Sequence, residues 1–103
     1  MKEIKANGIS YSLTDEGYLN DASQWTPELA TELAKEDGIE LTEEHFKVLE
    51  YLRKEHQSGA PLTIRKVGKS GIVDIKGLYV LFPGGPLKFS SKFAGIPKPT
   101  SCV

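Results

Sequence analysis

At 103 residues, with 39% hydrophobic and 26% charged side chains, the chain is long enough for one modest core and too apolar to be disordered throughout. One cysteine excludes an internal disulfide and a cysteine-rich metal site. No apolar run approaches the ~20 residues of a membrane span, and the start Met1-Lys2-Glu3-Ile4-Lys5 lacks the apolar stretch of a secretory leader, so a reducing cytoplasm is expected. The formal net charge of -1 hides an asymmetry. Residues 1–59 carry 13 acidic and 6 basic side chains, whereas residues 60–103 set Arg65, Lys66, Lys69, Lys76, Lys88, Lys92 and Lys98 against Asp74 alone. Such a basic half suits nucleic acid, an acidic partner surface or a thiolate; two solvated faces of opposite sign account for it equally well.

In chain order, residues 3–13 predict a β-hairpin. Asn7-Gly8 is the preferred pair for a tight type I′ turn, and Ile4, Ala6, Ile9, Tyr11 and Leu13 partly alternate with polar residues. Thr14-Asp15-Glu16-Gly17 predicts a second turn. A first helix is expected from Thr26, whose hydroxyl caps, with Pro27 at the first helical position and Glu28 beside the positive end of the dipole. Leu29, Ala30, Leu33 and Ala34 form its apolar stripe, and Gly38 ends it.

The second helix has the strongest start signal: Thr42 as N-cap, Glu43 and Glu44 in the first turn, and a Leu41–Phe46 staple across the cap. Phe46, Leu49, Leu52 and Arg53 follow helical spacing, with the Arg53 stem expected to pack and its head to stay wet. Gly59 and Pro61 stop it. His45 and His56 lie eleven apart on this helix, ~16 Å along the axis, too far to share a metal. Both are expected to be partly buried helix residues, and Glu43, Glu44, Glu50 and Glu55 a solvated face.

From Pro61 onward the pattern is ambiguous. Leu62, Ile64 and Val67 suit a short helix ending near Ser70-Gly71. Residues 72–82 are β-branched and apolar and lean toward strand, although Gly77 counts against either element. Pro83-Gly84-Gly85-Pro86 is a hard break. A last helix from Pro86 to Ala94 is expected to bury Leu87, Phe89 or Phe93 and close at Gly95. Gly84-Gly85 beside Lys88 is a faint anion-site signal, without a Walker or Rossmann pattern.

Beyond Gly95, Pro97 and Pro99 forbid helix and predict a stiff extended tail, roughly 25 Å over residues 96–103 in polyproline geometry. It carries Cys102. A terminal segment is a poor place for an inert core cysteine. A thiol on a projecting arm is instead available to other proteins. It is reactive as thiolate, which cations favour, and Lys98, Lys88, Lys92 and Arg65 are the candidate neighbours. Without a second cysteine the chain cannot resolve an oxidised Cys102 by itself. One-thiol jobs remain: carrying a sulfur atom, forming a mixed disulfide, or sharing a metal with a partner.

The ending Lys92-Phe93-Ala94-Gly95-Ile96-Pro97-Lys98-Pro99-Thr100-Ser101-Cys102-Val103 resembles the C-terminus of the DsrC/TusE family of sulfur-relay proteins. These are called gamma subunits of dissimilatory sulfite reductase, with relatives in tRNA thiolation. Matching blocks run through the chain: Asp15-Glu16-Gly17-Tyr18-Leu19, Trp25, Gly38 to Phe46, Tyr51-Leu52-Arg53, Ala60-Pro61, and Leu78-Tyr79-Val80-Leu81-Phe82-Pro83-Gly84-Gly85-Pro86-Leu87-Lys88.

The resemblance implies an α+β, mostly helical fold. A small N-terminal hairpin precedes a compact helical bundle with a helix-turn-helix-like C-terminal half and an extended tail. It implies one domain over 1–95, with the hairpin at 3–13 and helices near 26–37, 42–57, 61–69, 74–82 and 86–94, and an arm over 96–103. It thus favours helix where the residues alone lean toward strand. It implies that Cys102 accepts sulfane sulfur as a persulfide, with no other cofactor. Sulfur would come from a TusBCD- or DsrEFH-like complex and pass to a tRNA 2-thiouridylase or a sulfite-reductase-linked system, in a sulfurtransferase-type carrier that acts only with partners.

Two departures stand out. Family members serving sulfite reductase have a second cysteine eleven residues before the last; here that position is Ser91. The family arginine falls four residues after the alanine of Ala-Pro, whereas Arg65 comes five after Ala60. The competing expectations are a helix-turn-helix nucleic-acid-binding regulator and a docking relative without chemistry.

Overall fold

The computed structural model describes residues 2–59 and 63–97. The expectations for Ala60, Pro61, Leu62, Lys98 and Cys102 therefore lie outside the described residues. Strands β1 (Lys2–Ala6) and β2 (Ile9–Leu13) pair antiparallel, with Ile4 opposite Tyr11 and Lys2 opposite Leu13. Asn7 and Gly8 take φ of 53° and 79°, which the tight turn requires. Ile4, Ala6, Tyr11 and Leu13 face the core, while Ile9, at the turn end, stays exposed. The turn at residues 14–17 closes through the Gly17 N–H on the Thr14 carbonyl.

A 3-10 turn, Ala22–Gln24, precedes α1 (Pro27–Glu36). The Thr26 hydroxyl accepts the Leu29 N–H, and the expected stripe of Leu29, Ala30, Leu33 and Ala34 is fully buried. Helix α2 (Glu43–Gln57) begins at Thr42 with a capping box whose reciprocal partner is His45, in place of the usual Glu or Gln. Helices α3 (Ile64–Gly68), α4 (Ile75–Leu81) and α5 (Pro86–Phe93) follow. The hairpin packs on α1, α3 packs on α4, and α5 touches α1, α2 and α4. Among the described residues, no helix is long and apolar enough to cross a membrane.

Residues 72–82 correct the strand reading. The Asp74 side chain accepts the Gly77 N–H at 2.6 Å and starts a helix. Leu78 and Phe82 then point inward with helical spacing and are wholly buried. Gly77 belongs to that cap: a Cβ there would sit 2.6 Å from Val73 Cγ2 and 3.0 Å from Asp74 Oδ1. Here a local cap and tertiary burial outweigh β-branched composition.

The two histidines also differ from expectation. His45 is buried, whereas His56, in the last turn of α2, is exposed. The ring of His45 is covered by α4: its Nε2–H donates to the Leu81 carbonyl at 2.8 Å, and it meets the Phe82 ring edge-on at 5.1 Å. Of the expected solvated face, Glu43, Glu44 and Glu50 are exposed, and Glu55 pairs with Lys66 at 2.9 Å. That hydrogen bond holds the Glu55 carboxyl below its ordinary value.

Candidate functional site at the end of helix α5

The end of helix α5 is tied down by several hydrogen bonds. The last carbonyls of a helix lack intrahelical donors and need others. Here Ser90 O accepts from Ala94 N at 2.9 Å, Lys92 O from Gly95 N at 3.2 Å and Ser91 O from Ile96 N at 3.3 Å. The latter two bonds, with Gly95 at φ 70°, make a Schellman motif. The next two carbonyls are met by side chains from distant elements. Trp25 Nε1–H donates to Phe93 O at 2.7 Å, and Arg53 Nη1–H donates to Ala94 O at 2.9 Å.

Arg53 also donates through Nη2 to Ala22 O at 3.0 Å, and its guanidinium carbon lies 4.6 Å from the centroid of the Trp25 ring. One planar cation thus ties α2, the 3-10 turn and the end of α5 together. Its head, expected to stay wet, is partly buried, and that burial pulls its pKa below the usual arginine value. A fork of fixed donors spans two carbonyls in a way that a lysine ammonium does not. Gly95 completes the joint: a Cβ would come within 2.5 Å of Trp25 Cδ1. Ile96, expected to open an extended tail, is instead buried in the core cluster. A cleft of about 200 Å³ opens beside this anchor, lined by Ala22, Ser23, Arg53, His56, Gln57 and Ile96.

Of the residues expected to support the thiolate, the structure describes Lys92, Lys88 and Arg65. Lys92 Nζ is 2.8 Å from Asp37 Oδ2, with its side chain only 16% exposed and its stem against Gly17. It joins α5 to the end of α1. Lys88 lies one turn earlier on α5, exposed, with its carbonyl accepting the Tyr18 hydroxyl at 3.3 Å. Arg65 is exposed on α3, and its side chain makes no hydrogen bond or ion pair among the described residues. Ser91 is fully buried in α5, and its Oγ has no hydrogen-bond partner among the described residues.

The anchoring pair is what sequence reasoning missed. Trp25 enters only as a matching residue, and Arg53 as a surface residue with a packed stem. The available signal is a guanidinium on the apolar stripe of α2, in a chain holding a single tryptophan.

Comparison with known proteins places this arrangement. The DsrC-like protein family matches residues 5–103. The sulfurtransferase TusE of Salmonella typhimurium is 38% identical over 104 residues, covering 93% of this chain and 95% of that protein. The gamma subunit of the dissimilatory-type sulfite reductase of Nitratidesulfovibrio vulgaris is 32% identical over 105 residues, covering all of both chains. The crystal structure of the oxidized gamma subunit (DsrC) from Archaeoglobus fulgidus superposes with a TM-score of 0.84 at 36% identity, covering 99% of this chain and 100% of that one. With a hairpin followed by helices, a tied helix end and a family match over nearly its whole length, the chain belongs to the DsrC-like family.

Proposed function

We propose that the protein is a cytoplasmic sulfur carrier in which Cys102 is the carrying atom. The observation that supports this most directly is the anchor. The helix end bearing the arm is held by Arg53 and Trp25, and Ile96 is locked in the core, so the residues that follow leave from a fixed point. The thiol of the sequence lies six residues beyond that point. The relative named sulfurtransferase TusE, at 38% identity, supports the same reading.

The step is a persulfide exchange. The Cys102 thiolate attacks the outer sulfur of a donor persulfide. The donor's S–S bond breaks, its inner sulfur leaves as thiolate, and Cys102 becomes the persulfide with no net oxidation or reduction. Delivery reverses the roles, with an acceptor thiolate attacking the outer sulfur. With Ser91 where some relatives have a second cysteine, this sequence offers Cys102 no internal sulfur to pair with. That favours a one-thiol relay of the TusE kind, fed by a TusBCD- or DsrEFH-like complex, with a tRNA thiolase or dissimilatory sulfite reductase as acceptor.

Incubation of the reduced protein with glutathione persulfide, followed by intact mass spectrometry, tests the reading. The expected result is a gain of one sulfur atom, reversed by dithiothreitol and absent in Cys102→Ser. No gain by the native protein, or an equal gain by Cys102→Ser, overturns it.

A further inference from the structure

Helix α4 is apolar on its outer face as well as its inner one. Leu78 and Phe82 are buried against the body. On the other side, Ile75 is 43% exposed, Tyr79 47% and Val80 74%, and Ile72, in the turn that leads into the helix, is 41% exposed. Within α4, Ile75 with Tyr79 and Lys76 with Val80 are two adjacent i, i+4 pairs that form one stripe, and Ile72 lies just before the Asp74 cap. Ile72, Ile75, Tyr79 and Val80 are four of the five large hydrophobic residues exposed among the described residues, gathered within nine positions. At Ile72 the stripe runs into a groove of about 500 Å³ on α2, bordered by Tyr51, Lys47, Lys54 and Glu50. Contiguous apolar surface of this kind marks a contact site more often than chance exposure does.

The charges around the stripe specify what fits it. Lys76 sits in its middle, and Lys69 caps the C-terminal end of α3, the helix packed against α4, three residues before Ile72. Neither makes an ion pair among the described residues. The nearby acidic side chain, Asp74, is engaged as the helix cap. A second copy of this chain, packed through a two-fold axis, would bring this basic stripe against itself with no carboxylate on it to answer Lys76. A nucleic acid would meet isoleucine, valine and tyrosine where base-reading groups are needed, with Lys76 alone available.

We propose that the outer face of α4 docks a protein whose contact surface is apolar and rimmed by carboxylates, and that this partner is the persulfide donor of the relay. Tyr79 and Val80 are the apolar anchors, and Lys76 and Lys69 set the approach. The proposal rests on the relay reading, and it assigns a second duty to the body: holding the donor while the arm delivers the thiol, which raises the thiol's local concentration.

The test compares two sulfur sources in the full-length chain. One is glutathione persulfide, which needs no docking. The other is the persulfide-charged TusBCD-like complex. Val80→Glu and Lys76→Glu are expected to slow transfer from the complex at least tenfold, chiefly through KM, while glutathione persulfide loads Cys102 as in the native protein. Val80→Ser, which adds no charge, is expected to give a smaller loss in the same direction. Transfer from the complex that is unchanged in all three variants overturns the docking surface and leaves the relay standing. Failure of glutathione persulfide to load the native protein sinks the relay instead. A dimer in sedimentation velocity that Val80→Glu dissociates, or steeply salt-dependent tRNA binding that Lys76→Glu abolishes, overturns the proposal if donor transfer is intact.

Discussion

Arg53 ties together helix α2, the 3-10 turn and the end of α5. It bonds two carbonyls from different elements and stacks on Trp25, so no single neighbour replaces it. Arg53→Met keeps the stem and removes the fork, leaving Ala22 O and Ala94 O without their donor. Hydrogen bonds to a charged group are worth about 1.5–3 kcal/mol, so a loss of about 3 kcal/mol is expected in urea unfolding. Trp25, the single tryptophan, reports the same event through its fluorescence, which shifts as the indole is freed. Ser91 presents the opposite case. Its hydroxyl is buried without a partner among the described residues, so Ser91→Ala is expected to raise stability by about 1 kcal/mol. A clear loss would show that the hydroxyl has an acceptor. Neither residue announces its role in the sequence. A guanidinium on a helix stripe reads as snorkelling until the facing carbonyls are located, and a serine one turn from a helix end reads as ordinary.

At the scale of elements, His45 joins the first turn of α2 to the last turn of α4. Nδ1 accepts the Thr42 N–H at 3.0 Å while Nε2 reaches Leu81 O at 2.8 Å, so the ring carries its proton on Nε2. His45→Ala removes both bonds and is expected to cost about 2–3 kcal/mol in chemical denaturation. His45→Gln, with a capping-box side chain at the same position, should recover part of that by restoring the Thr42 bond without the one to Leu81. Equal losses in the two variants would show that the cap contributes nothing. Element starts were legible because caps are local: Thr26, Thr42 and the turn Asn7-Gly8 do what their chemistry predicts. Helix α4 was not, because its cap at Asp74 is short-range but its helical state is sustained by burial of Leu78 and Phe82 against other helices.

At the scale of the molecule, the opposed charges of the two halves are partly stitched together. Lys66 pairs with Glu55 and Lys92 with Asp37, each joining the basic half to the acidic one. What is left unpaired among the described residues of the basic half, including Arg65, Lys69, Lys76 and Lys88, faces solvent. Sulfur transfer from an acidic protein donor should therefore slow as salt shortens the screening length from about 10 Å at 0.1 M to about 3 Å at 1 M. Loading by glutathione persulfide should change far less; parallel salt dependence of the two would remove charge steering from the account.

The sequence by itself determined the hairpin, the caps of α1 and α2, their buried stripes and the family, because turns, caps and periodicity are properties of a few neighbouring residues. Local pattern alone leaned toward strand over 72–82, where the family resemblance implied the helix that the structure shows at Ile75–Leu81. Only the tertiary structure decided that Lys92 is engaged by Asp37. It also decided that Arg53 and Trp25, 28 positions apart, close on the end of α5. Those outcomes depend on which carbonyls and carboxylates distant segments bring within reach, and no local pattern encodes that.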